Sequence, residues 1–221
     1  PLGADGKPDL ECLESIDVPL FNDQLVELLA GREVELPLYS FKTKRRLEQG
    51  VRLRVDGDQV LVVEGIHGLN GALSEEIPSE LKYRVYVSAL TQLNLDGHNR
   101  IRTTDVRLLR RMVRDARTRH TDVTATMAMW DSVRAGEEKY IFPYQEKADV
   151  MFNSSLLYEI AVLKKYAYPM LKSIPQDSPY YTRSRRLVKF LNYFKDCGDE
   201  SEIPPTSILR EFIGGCTFYD E

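Results

Sequence analysis

The chain is 221 residues long, 43% hydrophobic and 29% charged, with a formal net charge of -4. That length suits one domain, or one domain with a substantial tail, and the apolar share is enough to bury a core. The acidic balance argues against a general nucleic-acid coat, while leaving room for a local basic patch. Cys12, Cys197 and Cys216 are scattered, odd in number and without CxxC spacing. They read as free thiols in a reducing cytoplasm, not as disulfides or a zinc site. His67, His98 and His120 show no metal-ligand spacing either. Apolar runs such as residues 60–63 are far too short to span a bilayer, and no signal peptide is visible, so a cytoplasmic protein without a membrane partner is expected.

In chain order, residues 1–8 are turn-rich and carry no initiator methionine, which reads as the middle of a longer protein. Residues 13–29 mix acidic and apolar residues, and within them a helix is expected with Asp17 as N-cap, Pro19 in its first turn, Leu20, Leu25, Leu28 and Leu29 as an apolar stripe, and Gly31 as its stop. Residues 33–41 and 51–55 are strand candidates joined by the basic residues 42–46, as in a hairpin, and a turn follows at 56–58. The β-branched run 59–66, ending in Glu64-Gly65-Ile66, suits a strand buried on both faces of a parallel sheet. Further strands are expected at 83–88 and, after a helical middle, at 148–153. Strands separated by helices imply an α/β layered fold. Helices are expected at 160–171, with Pro169 near the end, and at 183–194; residues 203–221 suit a terminal helix plus strand.

The densest chemical signal is the helix expected at 105–119. At ~100° per residue, Arg107, Arg110, Arg111 and Arg114 fall within one sector, while Leu108, Leu109, Met112, Val113 and Ala116 fill the opposite one. Such guanidinium groups repel one another unless anions or carboxylates answer them, and the planar fork of arginine binds phosphate oxygens two at a time. Asp105 and Asp115 can answer part of the charge. A solvated basic face is the bland alternative. The further arginines Arg100, Arg102, Arg117 and Arg119 favour phosphate. Glu64 closes a strand at the end where α/β sheets bind ligands, so it can hold Mg²⁺ directly or through water, or merely cap a loop. Tyr39 and Phe41 alternate on one strand and could stack on a base, although core packing is the commoner use of such a pair. No GxxxxGK[ST] phosphate-cradling loop occurs in these residues.

Together these residues resemble the uridine kinase and phosphoribulokinase family of P-loop phosphotransferases. The likeness runs from Asp9 to about Asn153. It takes in the acidic segment Asp9-Leu10-Glu11, the helix end Leu28-Leu29-Ala30-Gly31, the strand 36–41, Val62-Val63-Glu64-Gly65-Ile66, the arginine helix 107–115, and Ala148-Asp149-Val150. The tail 206–215 looks like a bacterial branch in which such a domain follows a module related to threonyl-tRNA synthetase. The resemblance implies a parallel-sheet, P-loop kinase-like core over 1–155 lacking its first strand, and a helical C-terminal extension over 156–221. It also implies ATP and Mg²⁺, with phosphate passed to the 5′-hydroxyl of a nucleoside.

Carried over position by position, it assigns Glu64 to Mg²⁺ and the phosphates, and Arg111, Arg114 and Arg119 to the triphosphate, with Arg111, Arg114 and Glu64 as the catalytic set. Glu11 would bind the sugar, with Tyr39, Phe41 and Lys44 around the nucleoside. The chain also departs from the family pattern. Lys44 stands where uridine and cytidine kinases carry histidine, Thr121 replaces an arginine and Met129 a glutamine, so a pyrimidine acceptor is not implied. Residues 90–104 have no counterpart in the short kinases. The P-loop strand, its Lys and Ser/Thr and the general-base Asp are expected upstream of Pro1, so this portion alone is expected to be inactive. Two other readings stay open: a non-catalytic module binding RNA or a regulatory nucleotide, and a sugar-phosphate kinase of the phosphoribulokinase type. A homo-oligomer also stays open.

Overall fold

The computed structural model describes residues 9, 11–40 and 45–218. Residues 1–8, Leu10, Phe41, Lys44 and the last three residues of the tail, all of which carry expectations above, lie outside the described residues. By packing, the chain forms two compact units: Pro1–Tyr86 with Ala135–Val150, and Val87–Arg134 with Met151–Glu221. The expected division at residue 155 follows family likeness along the chain. The units follow packing, and they group the C-terminal residues with the arginine helix.

In the first unit, α1 (Val18–Leu29) begins where Asp17 accepts a hydrogen bond from the Leu20 amide at 3.3 Å, with a proline in the first turn. It ends as expected at Gly31, whose φ of +73° lets the Arg32 amide reach back to Glu27 O at 2.9 Å. Of the expected stripe only Leu28 is fully buried, and Leu29 is 49% exposed. A polar staple compensates. Asn22, itself buried, donates to Val18 O at 2.9 Å and Leu73 O at 3.1 Å and accepts from the Glu76 amide at 3.3 Å, tying α1 to residues 70–77.

The long strand expected at 33–41 is cut in two. Four short strands, β1 (Val34–Leu36), β2 (Tyr39–Ser40), β3 (Arg45–Arg46) and β4 (Val51–Leu53), form the expected hairpin, β1 pairing with β4 and β2 with β3, both antiparallel. Pro37 stands at the break, where a residue without an N–H cannot continue the ladder.

The run 59–66 is a correction. It forms no strand and pairs with no segment among the described residues; Val60 and Val62 are 86% and 87% exposed. A strand buried on both faces needs ladder partners beside it and packed layers above and below, and β-propensity measures the fit to such surroundings rather than creating them. Among the described residues the expected parallel sheet is the pair β5 (Val85–Ser88) and β6 (Val150–Asn153), without the run 59–66. Asp149 N donates to Arg84 O at 2.9 Å and Ser154 N to Ser88 O at 2.8 Å, so both strands run the same way. The Asn153 side chain prolongs the ladder, donating to Leu90 O and accepting from Leu90 N, both at 2.9 Å. The chain is therefore mixed α/β, with a parallel pair and a helical C-terminal part.

The second unit holds α2 (Thr103–Thr118), the first part of α3 (Val123–Tyr140), α4 (Glu159–Ser173), α5 (Tyr181–Leu191) and the short α6 (Leu209–Ile213). Their apolar faces meet in one core, in which Val106, Leu109, Leu163, Leu171, Leu187 and Leu209 are completely buried. The expected terminal strand is not formed among the described residues: Gly214 and Gly215 take φ of +96° and +74°, a left-handed course that an extended ladder does not follow. No helix among the described residues is long and apolar enough to cross a membrane.

One ion pair is sealed inside this core. Arg110, 7% exposed, faces Glu159, 1% exposed, and donates Nε to Glu159 Oε2 at 2.9 Å and Nη2 to the same oxygen. Its remaining donors reach Ser154 Oγ at 3.1 Å and Ser154 O at 2.7 Å, while Ser155 Oγ donates to Glu159 Oε1 at 3.0 Å. A satisfied buried pair adds little net stability, yet removing one partner strands the other charge. Glu159→Ala is expected to lower the unfolding free energy by about 3–5 kcal/mol, read from urea denaturation with an unchanged denaturant slope.

Candidate functional site

The arginines of α2 share a sector of the helix but not an environment. Arg110 turns into the core, as described. Arg111, Arg114 and Arg119 instead converge on Asp115, whose side chain is completely buried. Arg111 Nε donates to Asp115 Oδ2 at 3.2 Å, Arg119 Nη1 lies 3.2 Å from Oδ1, and Arg114 Nε lies 3.8 Å from the same Oδ1. The helix makes this possible because Arg111 and Arg119 sit one turn either side of Asp115, at i−4 and i+4. The backbone of Asp115 also ends the helix: its carbonyl accepts from Arg119 N at 3.1 Å and Thr121 N at 3.0 Å, with His120 at φ +49°. Thr121 thus lies at this same turn.

Exposure grades along the cluster. The side chains of Arg111, Arg114 and Arg119 are 21%, 30% and 56% exposed. Three guanidinium groups around one buried carboxylate leave an excess of positive charge facing outward. Guanidinium groups in excess of carboxylates are the chemistry that attracts an anion. Three further hydrogen bonds come from the C-terminal part. Arg114 Nη1 donates to Glu211 Oε1 at 3.1 Å, and Arg117 donates to Glu211 O at 2.9 Å and Phe212 O at 3.3 Å.

In the first unit, the acidic segment is held by its backbone and by Asp9, leaving Glu11 exposed. Asp9 Oδ2 accepts from the Tyr140 hydroxyl at 2.8 Å, and that bond holds the Asp9 carboxyl below the usual carboxylate range. Asp9 Oδ1 accepts from the Glu11 amide at 3.1 Å. His67, 2% exposed, donates Nε2–H to the Glu11 carbonyl at 2.8 Å and stands edge-on to the Tyr140 ring at 5.3 Å. Glu64, three residues before His67, is exposed. Among the described residues no group of three His, Cys, Asp or Glu is placed to hold a metal ion. Mg²⁺ takes one or two carboxylates beside phosphate oxygens and water, so a single exposed Glu64 is compatible with it. Tyr39, 53% exposed, stands on the β2–β3 ribbon, apart from the contacts that anchor Glu11. Phe41 and Lys44 lie outside the described residues.

Three residues in these contacts have no role that the sequence assigns: His67 and Tyr140 in the first unit, and Glu211 in the second. His67 follows Glu64-Gly65-Ile66 directly, a proximity that could have flagged it. Glu211 has no such signal, because it meets Arg114 across 97 positions of chain.

The sequence profile of the phosphoribulokinase / uridine kinase family matches residues 8–161. A uridine kinase of Bacillus pumilus is 27% identical over 138 residues, covering 62% of this chain and 57% of that protein. The uridine-cytidine kinase B of Dictyostelium discoideum is 26% identical, covering 62% of this chain and 50% of the relative. A uridine kinase of Streptococcus pyogenes serotype M5 is 26% identical, covering 67% and 63%. The chain thus spans roughly half to under two thirds of the length of these curated relatives.

The cluster on α2 yields a direct test. Asp115→Asn keeps the shape of the hub and removes its charge, so the chain should lose about 1–3 kcal/mol of stability. Inorganic phosphate should restore part of that loss by taking over the vacated role, and chloride at equal ionic strength should restore less. Thermal unfolding in the two salts reads both effects.

Proposed function

The chain belongs to the phosphoribulokinase / uridine kinase family, and from that membership we propose that it supplies the acceptor-binding and phosphate-gripping part of an ATP-dependent nucleoside kinase. Membership itself supports a nucleoside or sugar kinase role. The observation that carries the finer reading is the convergence of Arg111, Arg114 and Arg119 on the buried Asp115, inside the matched residues.

In this reading the three arginines hold the oxygens of the triphosphate and balance the charge that builds up as a phosphoryl group moves to the 5′-hydroxyl. Such reactions ask the protein mainly for position and charge. Asp115 keeps the arginines aimed before the ligand arrives, so little reorganisation is needed at the moment of transfer. Glu64 would hold Mg²⁺ directly or through water, and the ion would supply further charge neutralisation. Glu11 takes the hydroxyls of the sugar with a carboxylate that no described residue engages. Tyr39, with Phe41 and Lys44, lines the base. Residues 1–155 form the kinase-like core and 156–221 its extension, in a cytoplasmic protein. With no GxxxxGK[ST] among them, these residues do not complete the transfer by themselves.

The test is ADP release by the complete protein that carries this chain, supplied with ATP–Mg²⁺ and a panel of nucleosides plus ribulose 5-phosphate. Release with a nucleoside is the expected result. Release only with the sugar phosphate moves the acceptor to the phosphoribulokinase type, and no release with any acceptor sinks the kinase reading. In the active protein, Arg111→Gln or Arg114→Gln should lower kcat by roughly 10²- to 10³-fold, with the acceptor KM little changed.

A further inference from the structure

The family match ends at residue 161, and α6 lies well beyond it. Nevertheless α6 sits on the arginine face of α2. Glu211 answers Arg114 at 3.1 Å, the carbonyls of Glu211 and Phe212 accept from Arg117, and the Arg110 guanidinium lies 5.1 Å from the centre of the Phe212 ring. Leu209 and Phe212 are 0% and 5% exposed, so the backbone of α6 is pinned from two sides. The Glu211 side chain is the part left at the surface, 41% exposed.

We infer that Glu211 sets the affinity of the arginine cluster for polyphosphate, by competing with it for Arg114. This rests on the proposal that Arg111, Arg114 and Arg119 hold phosphate. Two carboxylates stand within 4 Å of Arg114, and they differ in kind. Asp115 is completely buried and ends the helix, so it cannot leave. Glu211 is joined to Arg114 by a contact of the exposed type, worth about 0.2–1 kcal/mol, and its side chain can turn into water while α6 stays in place. A phosphate oxygen that takes the Arg114 Nη1 donor meets the Glu211 carboxylate at contact distance, like charge against like. A single phosphate can be held by Arg111 and Arg119 alone, leaving Glu211 where it is. A chain of phosphates that also engages Arg114 must displace it. Glu211 therefore narrows the preference of the cluster for polyphosphate over monophosphate.

The intact 221-residue chain, titrated calorimetrically with inorganic triphosphate and with inorganic phosphate, tests this. Glu211→Gln should bind triphosphate about two- to fivefold more tightly and inorganic phosphate as before. Arg114→Gln should weaken triphosphate binding, and adding Glu211→Gln to it should bring no gain. Should Glu211→Gln fail to fold by circular dichroism, Glu211→Asp, which withdraws the charge without removing it, should show a smaller gain of the same sign. If Arg114→Gln weakens binding but the Glu211 variants bind no tighter than the parent, the competition is overturned and the phosphate reading survives. If Arg114→Gln leaves triphosphate binding unchanged, or no form binds triphosphate, the phosphate reading falls and the competition with it.

Discussion

Six arginines lie between Arg107 and Arg119, on little more than three turns of helix, and the second unit is organised around what answers them. A helix so charged has no reason to sit in a core. Its other face, with Leu108, Leu109, Met112 and Val113, has every reason to. The structure settles this conflict arginine by arginine. Arg110 is paid for with Glu159 and two bonds to Ser154, Arg117 takes backbone carbonyls of α6, and Asp115 gathers three others. The partners come from the segment after β6, from α4 and from α6, so the charge of one helix decides where three later pieces of chain can lie.

Much of this was legible in the sequence where the cause is local. Asp17, Pro19 and Gly31 bound α1 because capping and left-handed termination are properties of a few neighbouring residues. The two faces of α2 follow from a 3.6-residue period, and Asp115 stands out as a carboxylate able to answer part of the arginine charge, though not as the point where three arginines meet. Glu159 and Glu211 were not legible as partners, since a contact across 49 or 97 positions leaves no periodic trace. The bounds of α3 were equally hidden. Val123, Met127 and Trp130 are buried, but beyond them the helix carries polar and small residues with no sustained apolar stripe.

The two units differ in how they are held. The second has a continuous apolar core. The first buries few side chains, and polar ties do much of the fastening: Asn22 to Leu73, His67 to Glu11, Tyr140 to Asp9. A hydrogen bond contributes about 0.5–1.5 kcal/mol net and demands direction, so such a unit gains more in geometry than in stability. That suits a segment whose proposed task is to present one carboxylate, Glu11, at a defined place.

The exposed run 59–63 has a consequence for how the molecule behaves in concentrated solution. Gln-Val-Leu-Val-Val carries no charge and no proline, and its side chains lie open to solvent at Val60 and Val62. This is the composition from which intermolecular cross-β ladders are built. The chain carries its own gatekeepers: Asp56 and Asp58 on one side and Glu64 on the other set like charges against each other in any stack of copies. Neutralising Glu64 thus removes more than a candidate metal ligand. It also takes away half of an electrostatic guard, and a loss of activity in such a variant has to be separated from a loss of monomer.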